Sequence, residues 1–270
     1  MNDEGGPRAR PGRAPSDGDF PWWLLAVAVL LGGAYAMVML DDGARQVLAT
    51  LRKGVWITVF VTVTAFATAS LLGLGLALMS LSRSVILRQV ARFYVEVIRG
   101  IPILVMLLYV AFVFAPGLVA LWNWTGLPSA TTRDFPFLWR AILALVIAYS
   151  AFIAEVFRAG LQSVDAGQIE AAKALGLKGG QRFRHIVMPQ AFRTILPPLG
   201  NDFVAMVKDS SLVSVVGVLD IAQIGKVTAA GNFRYFETYN VVALLYLTMT
   251  IALSLGLRRL EARLGHASRR

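Results

Sequence analysis

EVFRAGLQSVDAGQIEAAKALGLKGGQRFRHIVMPQAFRTILPPL, residues 155–199, is a polar, helix-forming island between long apolar blocks. Asp165 can cap a first short helix, with Gln168 three residues on as the reciprocal partner of a capping box. Gly176 stands where that helix should end, because glycine reaches the left-handed backbone state cheaply. A second helix is expected from about Gly179 to Met188, with Pro189 opening a new one where a missing N–H is tolerated. Ile169, Ala172 and Leu175 lie three apart, giving the first helix an apolar face, and Ala171, Ala172 and Gly176 are small enough for close approach by a partner. Lys173, Lys178, Arg182 and Arg184 make the rest of this knob basic. It reads equally as an ordinary solvated loop. A DNA-reading helix-turn-helix is disfavoured, because both ends of the island are tethered to apolar spans.

The blocks on either side set the class. The chain has 270 residues, of which 57% are hydrophobic and 16% charged. With the apolar residues gathered in long runs, the expectation is an all-α, polytopic membrane protein of about six transmembrane helices with one cytoplasmic helical loop. A net charge of +10 does not call for nucleic acid, since cytoplasmic loops of membrane proteins are basic. Without cysteine there is no thiol chemistry, and two histidines, His185 and His266, are too few for a histidine-built metal site.

Residues 1–19, rich in Gly, Pro and both signs of charge, read as a disordered tail. Residues 20–40 carry no charge until Asp41 and open on Pro21-Trp22-Trp23, an interfacial aromatic belt, so they read as one additional N-terminal span. Ala34-Tyr35-Ala36 formally fits a leader cleavage site, but the preceding tail is long and acidic for one. Residues 41–53 suit a short amphipathic helix on the membrane surface, with Val47, Leu48 and Leu51 on one face. A span follows from Gly54 to Ser82, in which LGLGLA (72–77) offers small residues for close packing. Gly100 and Pro102 should kink or break the start of the next span, which runs to Ala115, and residues 116–139 read as an outer loop. The fourth span covers about 140–160, with Glu155 and Arg158 paired near its inner end. Pro197-Pro198 should loosen the fifth span early, residues 213–224 read as apolar yet too short to cross, and 238–257 form the last span before a basic tail, 258–270.

Orientation follows from charge. With both termini inside, 18 of the 26 Lys and Arg lie on the inner side, and the reverse leaves 8 there. The basic-inside rule therefore puts both termini and the 155–193 island in the cytoplasm.

E-A-A-x₃-G-x₉-I-x₂-P, filled from Glu170 to Pro189, resembles the loop of bacterial ATP-binding-cassette importer permeases, with Met188 in place of the usual leucine. Arg99-Gly100-Ile101-Pro102 resembles the branch that imports polar amino acids, with isoleucine where threonine is frequent. The resemblance spans about residues 54–260, and implies a permease domain at 54–257 whose coupling loop, 163–189, docks on a separate ATPase through Glu170, Ala171, Ala172, Leu175, Gly176, Ile186 and Pro189. It further implies a cytoplasmic ATPase dimer that binds ATP and Mg, a second permease chain, an extracytoplasmic amino-acid-binding protein, and a place in the bacterial inner membrane among its lipids. No cofactor, catalytic role or nucleic acid is implied for this chain.

The residues themselves suggest a substrate path at Asn201, Asp202, Lys208, Asp209, Ser210 and Ser211. Polar groups at membrane depth are costly and survive mainly where they face a cavity, a partner or water. An ordinary interfacial Lys208-Asp209 pair is the plain alternative. Among functions of another class, an ion-coupled carrier would also use interrupted helices and buried charge, but it has no need of the helical knob. An intramembrane enzyme is disfavoured: there is no H-E-x-x-H, no G-x-S-x-G and no Walker loop.

Overall fold

The computed structural model describes residues 22–126 and 128–266, all of whose regular structure is helical. The expected tail at 1–19, Phe20 and Pro21 of the first span, and the end of the basic tail with Arg269 and Arg270 lie outside the described residues.

Helix α1 (Trp22–Leu40) leads into α2 (Asp42–Ser80), capped by Asp41, whose carboxylate accepts from Gly43 N at 2.8 Å. The surface helix expected over 41–53 is instead the first third of this continuous 39-residue helix. Val47, Leu48 and Leu51 do share a face, but it packs on Ile221, Val241, Leu244 and Leu245. A polar, amphipathic stretch looks the same from sequence whether its apolar stripe meets lipid or protein.

Helix α3 (Val85–Arg99) stops at Gly100, and Pro102 stands at the N-cap position of α4 (Ile103–Tyr109), so Gly100 and Pro102 mark a helix break at the start of a span. The helix then runs through a π-helical turn, Val110–Phe114, into α5 (Ala115–Trp124). Pro116 therefore does not open the outer loop as expected, and the connection is confined to 125–136. The same arrangement recurs downstream: α8 (Gly179–Arg182), a π turn at Phe183–Val187, then α9 (Met188–Asp209) with Pro189 in its first turn. In both places a wide i→i+5 turn, closed by Ala115 N on Val110 O and by Met188 N on Phe183 O, immediately precedes the proline. A proline ring clashes with the carbonyl four residues back in a regular helix, and the widened turn relieves it.

Helix α6 (Phe137–Gln162) is the centre of the bundle. Its Leu145, Tyr149 and Ile153 pack on Val61, Ala65 and Ala69 of α2, Met106 and Leu107 of α4, and Met206 of α9. Gly73 makes the α2–α6 approach possible, since a Cβ there would stand 2.9 Å from Ile153 Cγ2 and 3.0 Å from Ser150 O.

Pro197 and Pro198 lie inside α9, which runs unbroken to Asp209. The expected loosening is displaced to Ser210–Val216, a 3₁₀ turn closed by Gly217 at φ +83°, after which Asp220 caps α10 (Ile221–Asn232). Helix α11 (Tyr235–His266) ends the described chain. Among the described residues, five helical stretches are long and apolar enough to cross a membrane, or six where the pair Gly179–Val216 and Ile221–Asn232, bent by 49°, counts as one span.

Candidate functional site

The knob between α6 and α9 is built by local hydrogen bonds. Helix α7 (Ala166–Ala174) starts where Asp165 accepts from Gln168 N at 3.2 Å. The reciprocal arm of the capping box is absent, because Gln168 Oε1 accepts from Gln190 Nε2 at 2.6 Å instead and so ties α7 to α9. At the far end Gly176 adopts φ +78°, Leu177 N donates to Ala172 O at 3.1 Å and Gly176 N donates to Lys173 O at 2.9 Å. Those two bonds and a left-handed glycine form a Schellman stop, which satisfies carbonyls the helix leaves open. Lys178 N then donates to Gln181 Oε1 at 2.9 Å to begin α8.

What the knob presents differs in part from the expected face. Ala172 is buried at 4% exposure and packs inward, whereas Leu175 at the tip is 80% exposed. Ala171, Glu170, Gly176 and Pro189 are exposed and Ile186 is half-buried. Ala172 thus shapes the knob, leaving Ala171, Ala174 and Leu175 as its small apolar tip. Among the described residues, Lys173, Lys178, Arg182 and Arg184 around it join no ion pair. Below the knob the neck is tight: Ser163 Oγ donates to Gly160 O at 2.8 Å and to Thr194 Oγ1 at 3.3 Å, and a Cβ on Gly160 would stand 2.2 Å from Ile195 Cγ1.

The residues expected on the path divide between two stripes of α9. Asn201 and Lys208, seven apart, are exposed on one. Lys208 opens into a groove of about 300 Å³ with Thr250, Ser254 and Arg258 of α11 and Trp23 of α1. Asp202 and Asp209 share the adjoining stripe, half-buried against α6. Tyr149 Oη donates to Asp209 Oδ2 at 2.7 Å, and Asp202 Oδ2 is buried without a hydrogen-bond partner. Ser210 does not belong with them: it is fully buried and its hydroxyl donates to Val207 O at 2.7 Å. Ser211 is half-buried, its carbonyl accepting from Ser214 Oγ at 2.7 Å.

Two polar features escaped the sequence reading. Asp220, inside a stretch read as apolar, is fully buried, caps α10 by accepting from Gln223 N at 2.8 Å and accepts Tyr246 Oη at 2.9 Å. Its spacing to Gln223 repeats that of Asp165 and Gln168, a signal that would have found it. Arg140, buried at 6% exposure, donates to the carbonyls of Phe135 at 2.6 Å, Ala111 at 3.0 Å and Thr132, and lies over the Phe137 ring at 4.7 Å.

Comparison with known proteins places this architecture. Residues 69–266, from within α2 to the end of α11, match the family of binding-protein-dependent transport system inner membrane components. The chain is 40% identical over 211 residues to the probable glutamine ABC transporter permease protein GlnM of Bacillus subtilis, across 78% of this chain and 91% of that protein. It is 36% identical over 216 residues to the glutamine transport system permease protein GlnP of Escherichia coli K12, across 79% and 92% of the two. Among solved structures, an amino acid ABC transporter with histidines superposes with a TM-score of 0.69 at 37% identity, covering 80% of this chain and 94% of that one. ATP hydrolysis in such systems belongs to a separate subunit, and this chain is the non-catalytic permease component. It belongs to the family of binding-protein-dependent transport system inner membrane components, as a multi-pass membrane subunit of an ABC importer.

Proposed function

We propose that the chain carries a polar amino acid, delivered by an extracytoplasmic binding protein, across the inner membrane, driven by an ATPase dimer that docks on the 163–189 loop. The observation that carries the docking is the knob itself. A leucine that is 80% exposed sits at the tip of a helix stopped by a left-handed glycine and tied to α9 by Gln168–Gln190. An exposed apolar tip ringed by unpaired cations is a surface made to be covered. Glu170, Ala171, Leu175, Gly176 and Pro189 line this surface in our reading, while Ala172 and Ile186 support it.

The amino-acid cargo is supported by the relatives named for glutamine. On α9 we assign the path to Asn201 and Lys208, with Asp202, Asp209 and Ser211 on the adjoining stripe. A carboxylate and an ammonium one helical face apart match the two charges of an amino acid. A second permease chain, the same or a sister, completes the path, and the 18-to-8 charge division supports a reading with both termini and the knob in the cytoplasm. The docking test is co-purification of the ATPase with Gly176→Asp and Leu175→Asp permeases. Loss of the ATPase from permease that still reaches the membrane supports docking. Full retention together with normal uptake removes it.

A further inference from the structure

At the end of the bundle that bears the knob, a cavity of about 350 Å³ opens between α2, α3 and α6. Its floor is apolar and small-chained, formed by Ala91 and Ala154 with Leu76 and Val95. Its polar wall is Ser80, Arg92, Glu96, Glu155, Arg158 and Gln162. Half of the wall charge is already matched: Arg158 Nη2 meets Glu155 Oε2 at 2.6 Å, and Arg158 Nη1 donates to Gln162 Oε1 at 3.0 Å. Arg92 and Glu96 are not. They stand one turn apart on α3, close enough to reach each other, yet among the described residues neither joins an ion pair. The cavity thus offers one free guanidinium and one free carboxylate, with no net charge.

We propose that this cavity is a binding site for a zwitterion, holding an ammonium group on Glu96 and a carboxylate or phosphate on Arg92. A net cation or a net anion would leave one wall charge unmatched, which disfavours both. The volume lies at the small-ligand end of the usual range of about 300–1,000 Å³. Two sources share the chemistry, a free amino acid and a phosphatidylethanolamine headgroup, and the position favours the first. Gln162 is the last residue of α6 before Ser163 and the loop neck, so the site lies on the side where imported cargo would be released. This source rests on the transport reading given above. The zwitterion site itself does not.

The test is equilibrium binding of L-glutamine to the purified full-length permease in phosphatidylglycerol nanodiscs, without ATPase or binding protein. N-acetyl-L-glutamine lacks the ammonium and L-glutamine methyl ester lacks the carboxylate. Each should bind about tenfold more weakly or worse, the scale of one lost charge-assisted contact. Arg92→Gln and Glu96→Gln should each weaken L-glutamine to the same degree, and Arg45→Gln, an exposed charge loss on α2, should not. Variants that purify normally yet bind L-glutamine as the parent does overturn the proposal, as does equal binding of the blocked forms. Adding phosphatidylethanolamine to the nanodiscs separates the sources. Unchanged glutamine binding keeps the amino acid, and displacement assigns the cavity to lipid and overturns the cargo reading. Because no transport is measured, failure here and failure of the importer reading remain distinguishable.

Discussion

Tyr149 of α6 donates its hydroxyl to Asp209 of α9 at 2.7 Å, and this bond pins together the helix that enters the knob and the helix that leaves it. Nearer the knob the same two helices meet at Gly160 and Ile195, where no Cβ would fit on the glycine. On the proposed docking, a displacement of the knob by a bound ATPase would reach α9 and its polar stripes through these two contacts. Tyr149→Phe should leave the carboxylate half-buried without this donor and cost about 1.5–3 kcal/mol, the range for hydrogen bonds to charged groups. Thermal unfolding of the purified permease reads the loss. A midpoint unchanged from the parent would mean that the bond does not hold the pair.

Gly176 should resist any side chain for conformational reasons alone. Nothing lies within 4 Å of a Cβ built there, yet φ is +78°. Gly176→Ala is expected to cost about 1–2 kcal/mol locally, weakening ATPase retention without lowering membrane insertion. Gly176→Asp adds a charge at the tip and should weaken retention further. If alanine is tolerated and aspartate is not, charge rather than backbone shape governs the contact.

Gly54 lies in close contact with the start of α10. A Cβ there would stand 2.7 Å from Ile221 N and 2.8 Å from the Asp220 carbonyl carbon. Gly54→Ala must push the start of α10 away from α2, disturbing the Ile221 N donation to Thr58 Oγ1 at 3.3 Å and the Asp220–Tyr246 bond at 2.9 Å. Overpacking of this kind costs about 1–3 kcal/mol. The expected result is a lower unfolding midpoint with intact ATPase retention, since the knob is remote from this contact.

Orientation can be read with single cysteines, because the chain has none of its own. Lys178→Cys in the knob should be shielded from an impermeant thiol reagent in intact cells and labelled after permeabilisation. Phe233→Cys, at an exposed turn between α10 and α11, should be labelled from outside. Labelling of Lys178→Cys in intact cells would reverse the assignment.

How much was legible in advance depended on the kind of signal. Span number, the Gly176 stop and the Glu155–Arg158 pair follow from local rules of length, backbone conformation and helical spacing, and they were readable. Prolines misled twice. Pro116 and Pro197-Pro198 read as interruptions, but a π turn precedes the first and the second pair lies inside α9, which runs on to Asp209. The π turn has no sequence mark. The division of Asn201 and Lys208 from Asp202 and Asp209 was available from helical geometry, since positions seven apart share a face. That Tyr149 would meet Asp209 was not, because the pairing depends on how α6 and α9 pack.

The most direct test of the central claim is the energy source of uptake. Purified permease, reconstituted with its ATPase and binding protein in proteoliposomes, is given a labelled polar amino acid such as L-glutamine on the binding-protein side, with and without ATP on the other. The account predicts uptake that requires ATP, the ATPase and the binding protein together, and that Leu175→Asp abolishes. Uptake driven by a proton or sodium gradient with the ATPase omitted would contradict it and make the chain an ion-coupled carrier.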